Sequence, residues 1–340
     1  MGGLKWGIFC FFERDKISTL EAYARQMNVV KLADRLEFDC AWFAEHHFND
    51  FSVCPSPSLL LSYAIAITKR IRLGCAGFLA PFYDPIRLAE EIATLDNLSG
   101  GRIEIGFAKG AFAPDSKAFK VAHERLRSRM FEVVPAVELL LRNVQPVSYK
   151  SENIAFDEVD IEPKPLQKEP PISLATFASD ETIRFAAERG YGLLLHISFD
   201  SAQIHRVVDL YKSVGGVKPK IAVTRALYIG DNQAECEEKA REAAKRTMRM
   251  MMKRQAYNKK PESLNDPRFS ELRNERQRFF SGETLLPNSI VGTPKRCLAK
   301  ARELKETLGD ASILLKPLAE NYDEAETMIS RFHREVIAKL

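Results

Sequence analysis

Apolar residues arrive along this chain in two alternating rhythms. Short, nearly continuous runs at 4–12, 40–45, 71–79, 102–108, 172–177, 191–196, 221–229 and 311–315 predict strands buried on both faces. Between most of them apolar positions recur every three or four residues, as in Leu20, Tyr23, Ala24, Met27 and Val30. That spacing is one stripe of an amphipathic helix. Ser18 with Glu21 forms a capping box at one helix start, and Asp84-Pro85 caps and opens another, which Gly100-Gly101 stops. A long helix is predicted over about 117–142, with others opening at Ser179, Ser201 and Gln233 and a last one through Ala325, Met328, Phe332 and Val336.

Strands that alternate with helices build a parallel sheet, and eight such units close into a (β/α)8 TIM barrel. A barrel of this kind takes about 250 residues, so about 90 of the 340 belong to insertions. An inserted hairpin at about 145–162 and a polar lid at about 255–289 absorb most of them. The alternative, an open doubly wound sheet with a second domain, needs a composition break that the chain lacks. The expectation is one domain over 1–340.

Composition narrows the partners. With 50 basic and 46 acidic residues the net charge is +4, which gives no footing for nucleic acid. The six cysteines form no close pair, and Cys10, Cys40 and Cys75 lie in apolar runs, as buried thiols of a reducing compartment do. No signal sequence opens the chain and no apolar run reaches membrane-spanning length, so the expected setting is cytoplasmic. Lys245, Arg246, Arg249, Lys253, Arg254, Lys259 and Lys260 form a run without acids. It reads as a solvated helix face or as a rim that steers an anion.

Chemistry in a parallel barrel gathers at the C-terminal strand ends. The second strand ends in Glu45-His46-His47, two of the chain's six histidines. Successive side chains on a strand face opposite ways, so one imidazole faces a pocket and the other supports it from behind. A pair of hydrogen-bonded core histidines is the plainer reading. Metal binding is discounted, because adjacent histidines on a strand lack the helical four-residue spacing. Other ends offer Ala76-Gly77, Ala108-Lys109-Gly110, Ala178-Ser179 and His196. Ser179, with Thr182 three residues on, caps a helix whose free amides suit a phosphate, and Lys109 from the adjacent end adds charge. Asp180 and Glu181 in the first turn repel an anion, so a simple helix cap accounts for Ser179 equally well.

Four stretches resemble the bacterial luciferase-like flavin monooxygenases. They are 38–48 (FDCAWFAEHHF), 99–110 (SGGRIEIGFAKG), the connector 162–172 with its Pro163, Pro165, Pro170 and Pro171, and 290–294 (IVGTP). The resemblance implies a TIM barrel that binds reduced FMN at its mouth, with His46 as the catalytic histidine supporting a flavin hydroperoxide. It places Glu45, Lys109, Ala178, Ser179 and Thr182 at the cofactor, and a cis peptide at Ala76-Gly77 behind the flavin ring. Lys109 stands where luciferase has a phosphate-binding arginine, Ala178 where it has a glutamate, and Ala108 where it has a reactive cysteine. These departures argue against light emission.

The function so implied is an FMN-dependent monooxygenase that oxygenates a small organic substrate with O2. A deazaflavin-dependent hydride-transfer enzyme and a non-catalytic flavin-binding protein are the alternatives. No G-x-G-x-x-G dinucleotide fingerprint follows any strand, so reduced FMN is expected from a separate flavin reductase. A homodimer without nucleic-acid or membrane partners completes the expectation.

Overall fold

The computed structural model describes residues 3–215, 217–257 and 282–340. Eight parallel strands form its centre: β1 (Lys5–Cys10), β2 (Cys40–Phe43), β3 (Arg72–Cys75), β4 (Ile103–Ala108), β5 (Ile172–Thr176), β6 (Gly192–Leu195), β7 (Ile221–Ile229) and β8 (Ser312–Pro317). Each pairs with the next, β8 pairs with β1 through Lys5↔Ser312, and β7 pairs with both β6 and β8. The ring is therefore closed, which removes every sheet edge from the barrel.

Around it run α1 (Thr19–Arg35), α2 (Pro57–Ile67), α3 (Pro85–Ser99), α4 (Leu126–Arg142), α5 (Asp180–Arg189), α6 (Ser201–Gly215), α7 (Gln233–Tyr257), α8 (Pro294–Leu308) and α9 (Tyr322–Glu335). The caps read from sequence are in place. Ser18 Oγ accepts from the Glu21 amide at 3.1 Å, Asp84 Oδ1 accepts from the Arg87 amide at 3.0 Å, and Gly100 is left-handed at φ 66°. The hairpin is present as Val147–Lys150 against Ala155–Val159, anchored to α4 by the Tyr149 hydroxyl, which donates to the Glu132 carbonyl at 2.9 Å.

One expectation changes and one strand is added. The helix foreseen over 117–142 is two pieces, a short helix at Ala113–Ala118 and α4 from Leu126, separated by Lys120 at φ 56°. Ile290–Gly292, not foreseen as a strand, pairs in parallel with β7, and Thr293 stands at the N-cap of α8. The lid foreseen at 255–289 falls largely outside the described residues, as do the side chains of the basic run beyond Met250. Within that run, Lys245 pairs with Glu242 at 2.7 Å and Arg246 donates to the Ala319 carbonyl.

Strand alternation divides the core in two. Odd-numbered residues of β2 and β4, such as Phe43, Ile105 and Phe107, pack outward under the helices, while Cys40, Trp42, Leu194, Ala222 and Leu314 fill the barrel. Trp42 is the plug. Gly74 and Gly106 make room for it: a Cβ on Gly74 would lie 2.6 Å from its ring and one on Gly106 3.1 Å from it, the latter also 2.2 Å from the Cys75 carbonyl oxygen.

Candidate active site at the barrel mouth

Above Trp42 the inward positions are small. Alternation brings Ala44, Ala76, Ala108 and Ala175 to the mouth side of the plug, and Ala76 and Ala175 pack directly on the interior cluster. On the β1 side the inward position is large, since Phe9, level with Trp42, packs on the same interior cluster; Phe11 follows it past the strand end, and Phe177 lies beside His196 past the ends of β5 and β6, with 4.5 Å between those two centroids. The mouth is a shallow alanine floor with aromatic walls, the shape that admits a flat ring.

The Glu45-His46-His47 triplet splits across the strand as alternation requires. His46 shares the inward face of Trp42 and Ala44. Its imidazole stacks on Phe11 at 6.1 Å and 15°, lies 4.7 Å from the Phe51 ring and meets Phe112 edge-on at 5.7 Å. Glu45 and His47 turn the other way and are buried. The resemblance puts Glu45 at the cofactor, but the structure occupies its carboxylate elsewhere. Oε1 lies 2.9 Å from His47 Nε2, and Oε2 accepts from the Leu79 amide at 3.0 Å and the Tyr83 hydroxyl at 2.9 Å. Burial pushes the Glu45 carboxyl above its ordinary value, against the lowering effect of these bonds. Burial, and then the Glu45 charge, also raise the Tyr83 phenol.

The Leu79 contact joins this pair to the neighbouring strand. The Ala76–Gly77 peptide is cis, and beyond it Phe78–Leu79 resumes pairing with Phe107 and Ala108 of β4. A Cβ on Gly77 would lie 2.7 Å from the Phe107 carbonyl carbon and 2.8 Å from that of Gly106, both immovable backbone. Only glycine fits between the strand ends here.

The third part is the start of α5. Ala178, at φ 60°, turns the chain out of β5, and the Ser179 amide donates to Thr176 Oγ1 at 3.2 Å. The Ser179 side chain makes no capping bond, and Thr182 is buried one turn on. The acids that speak against an anion are themselves answered. Asp180 pairs with Arg206 at 2.6 Å and Glu181 pairs with Arg127. Arg127 Nε, on the side chain that pairs with Glu181, is buried and makes no hydrogen bond. Lys109 stands at the adjacent β4 end with Nζ 3.2 Å from the Gly110 carbonyl. Free helix amides, Ser179 and Arg127 together suit a phosphate.

Arg127, Tyr83 and the phenylalanines around His46 escape the sequence reading. A helix drawn from 117 puts Arg127 in mid-helix, whereas it stands in the first turn of α4, and its partner Glu181 is 54 residues away. Among the described residues no three His, Cys, Asp or Glu side chains gather as a metal set, and no helix is long and apolar enough to cross a membrane.

Comparison with known proteins bears on this geometry. The family profile of the luciferase-like monooxygenases matches residues 4–311. The oxygenase component of the flavin-dependent trigonelline monooxygenase of Acinetobacter baylyi is 26% identical over 320 residues, covering 88% of this chain and 85% of its own. The monooxygenase RslO1 of Streptomyces bottropensis superposes with a TM-score of 0.83 at 25% identity, over 99% of both chains. The oxygenating constituent of 3,6-diketocamphane monooxygenase of Pseudomonas putida, solved with FMN, superposes with a TM-score of 0.75 at 19% identity, over 100% of this chain and 99% of that one.

Proposed function

The chain belongs to the luciferase-like monooxygenase family, and from that premise we propose that it is the oxygenase of a two-component system, taking reduced FMN from a separate reductase. With O2 it oxygenates a small organic substrate. The observation that carries this reading is the mouth itself: an alanine floor beside His46, with a phosphate-ready helix start three strands further round the barrel. Bound reduced FMN supplies the electrons that activate O2, so that one oxygen atom enters the substrate and the other leaves as water.

The residues divide that task. Ala76 and Gly77 back the ring, and at Gly77 nothing larger fits between the strand ends. The amide turn at Ala178, the Ser179 hydroxyl, Thr182, Arg127 and Lys109 take the phosphate. His46 exchanges a proton at the reacting centre, and Phe11, Phe51 and Phe112 keep water from it. Glu45, His47 and Tyr83 position the end of β2 from behind. The A. baylyi relative is an oxygenase component, which supports a separate reductase, as does the lack of a dinucleotide fingerprint. We place the whole chain in one domain and assign it a homodimer through α2, where Leu59 and Tyr63, four residues apart, are 72% and 51% exposed.

Anaerobic titration with reduced FMN, followed by isotopically labelled O2 and a pool of small metabolites, tests the proposal. A tight complex and one product carrying a single labelled oxygen are expected. Turnover with a deazaflavin that ignores O2, or flavin binding that consumes no compound, would overturn it.

A further inference from the structure

The roles above leave one charged group at the mouth unused. Lys316, near the end of β8, shares a face with Leu314, which lies in the barrel interior, while Ile313 and Leu315 pack under the helices. It is only 9% exposed. Its ammonium lies 2.6 Å from Glu13 Oε2 and 5.3 Å from the centre of the Phe11 ring, which also stacks on His46 and packs against Phe9 and Phe51. One aromatic ring thus separates a nearly buried cation from His46.

Glu13 is held in turn, because the Tyr322 hydroxyl donates to its carbonyl at 3.0 Å. The crevice beside the pair, about 80 Å³, also contains Asp15 and Glu320, and Arg246 answers Asp15 at 3.9 Å. Stability does not explain the pair. Desolvating two charges offsets most of their attraction, and an apolar side chain of similar volume would pack as well. Recognition does explain it. Glu13 accepts one of the three ammonium donors and leaves others for a further acceptor, next to Phe11 and to Phe9, which lines the same crevice; Phe51 and Phe112 continue the aromatic cluster beyond Phe11.

We propose that Lys316 is the specificity-determining residue for the substrate, and that the substrate is a small aromatic carboxylate. Its ring lies among the phenylalanines, its carboxylate engages the Lys316 ammonium, and Glu13 holds that ammonium in place. The assignment of this ligand as a substrate rests on the oxygenase reading; its binding does not.

Benzoate and benzamide share a ring and differ in charge, so calorimetric titration of both, with and without FMN, is the test. Wild type should bind benzoate about 10- to 100-fold more tightly than benzamide, the strength of a charge-assisted bond. Lys316→Met should abolish that preference and leave benzamide binding unchanged, and Lys316→Arg should keep most of it. Should Lys316→Met unfold through the unpaired Glu13, the double variant Glu13→Gln/Lys316→Met removes both charges and should show the same lost preference. No benzoate binding, equal binding of the two probes by wild type, or equal losses in the variant would overturn the assignment. FMN binding is read in the same titrations. If FMN binds while benzoate shows no preference, only this inference falls. If the preference holds while FMN does not bind, the oxygenase reading falls.

Discussion

His46 and His47 are chemically identical side chains placed in opposite surroundings. The first sits among Phe11, Phe51 and Phe112 on the inward face, and the second is hydrogen-bonded to Glu45 beneath the strand. His46→Ala should therefore lower oxygenation about 100-fold or more and leave FMN affinity nearly unchanged, measured as product formation and flavin titration. His47→Ala should cost about 1–3 kcal/mol of stability by stranding a buried carboxylate, read from denaturant unfolding, with activity falling only through position. Glu45 adds a pH signature. Burial outweighs its hydrogen bonds, so its folded pKa lies above the ordinary 4.5. For a raised carboxyl, the contribution of the neutral form is complete below about 4.5 and is lost as pH climbs through the folded value. The stability of wild type relative to Glu45→Gln should fall over that window and then level. A difference that grows with pH would mean that His47 holds the carboxylate ionised. Alternation alone predicts that the two histidines face opposite ways, and the family resemblance singles out His46. Neither could say that Glu45 is consumed by Leu79 and Tyr83, because those partners come 34 and 38 residues later from another strand end.

At the scale of elements, the junction after β3 is the least tolerant part of the site. Gly77→Ala drives a methyl into the backbone of Gly106 and Phe107. Overpacking of this kind costs about 1–3 kcal/mol or more, so its unfolding midpoint should drop clearly, whereas Gly3→Ala, whose Cβ would meet nothing within 4 Å, should drop far less. Similar losses in the two variants would contradict the close approach at Gly77. Strands and capped helices were legible because their signals are local: period, Ser18, Asp84, Gly100. The α4 boundary was not, since Lys120 adopts a left-handed turn that no glycine or proline announces. The strand at 290–292 was hidden for another reason. Its three residues carry no period, and only pairing with β7 makes them a strand.

Across the whole molecule, closure of eight strands brings together groups far apart in sequence: His46 from β2, Ser179 after β5, Arg127 from α4 and Lys316 from β8. The count of apolar runs foretold the closure, but not which charges meet at the mouth. The outer surface makes its own prediction. If Leu59 and Tyr63 form the subunit contact, replacing both by serine should convert a dimer into a folded monomer in sedimentation, and an unchanged dimer would place the contact elsewhere. We propose that the flavin phosphate binds at the start of α5, where Arg127 pairs with Glu181 and keeps its buried Nε without an acceptor. The direct measurement is the affinity of FMN and of riboflavin, at one salt concentration, for wild type and Arg127→Met. FMN should bind wild type well above riboflavin and lose about 10- to 100-fold in the variant, while riboflavin changes little. Equal affinities in wild type, or equal losses for the two ligands, would contradict the account.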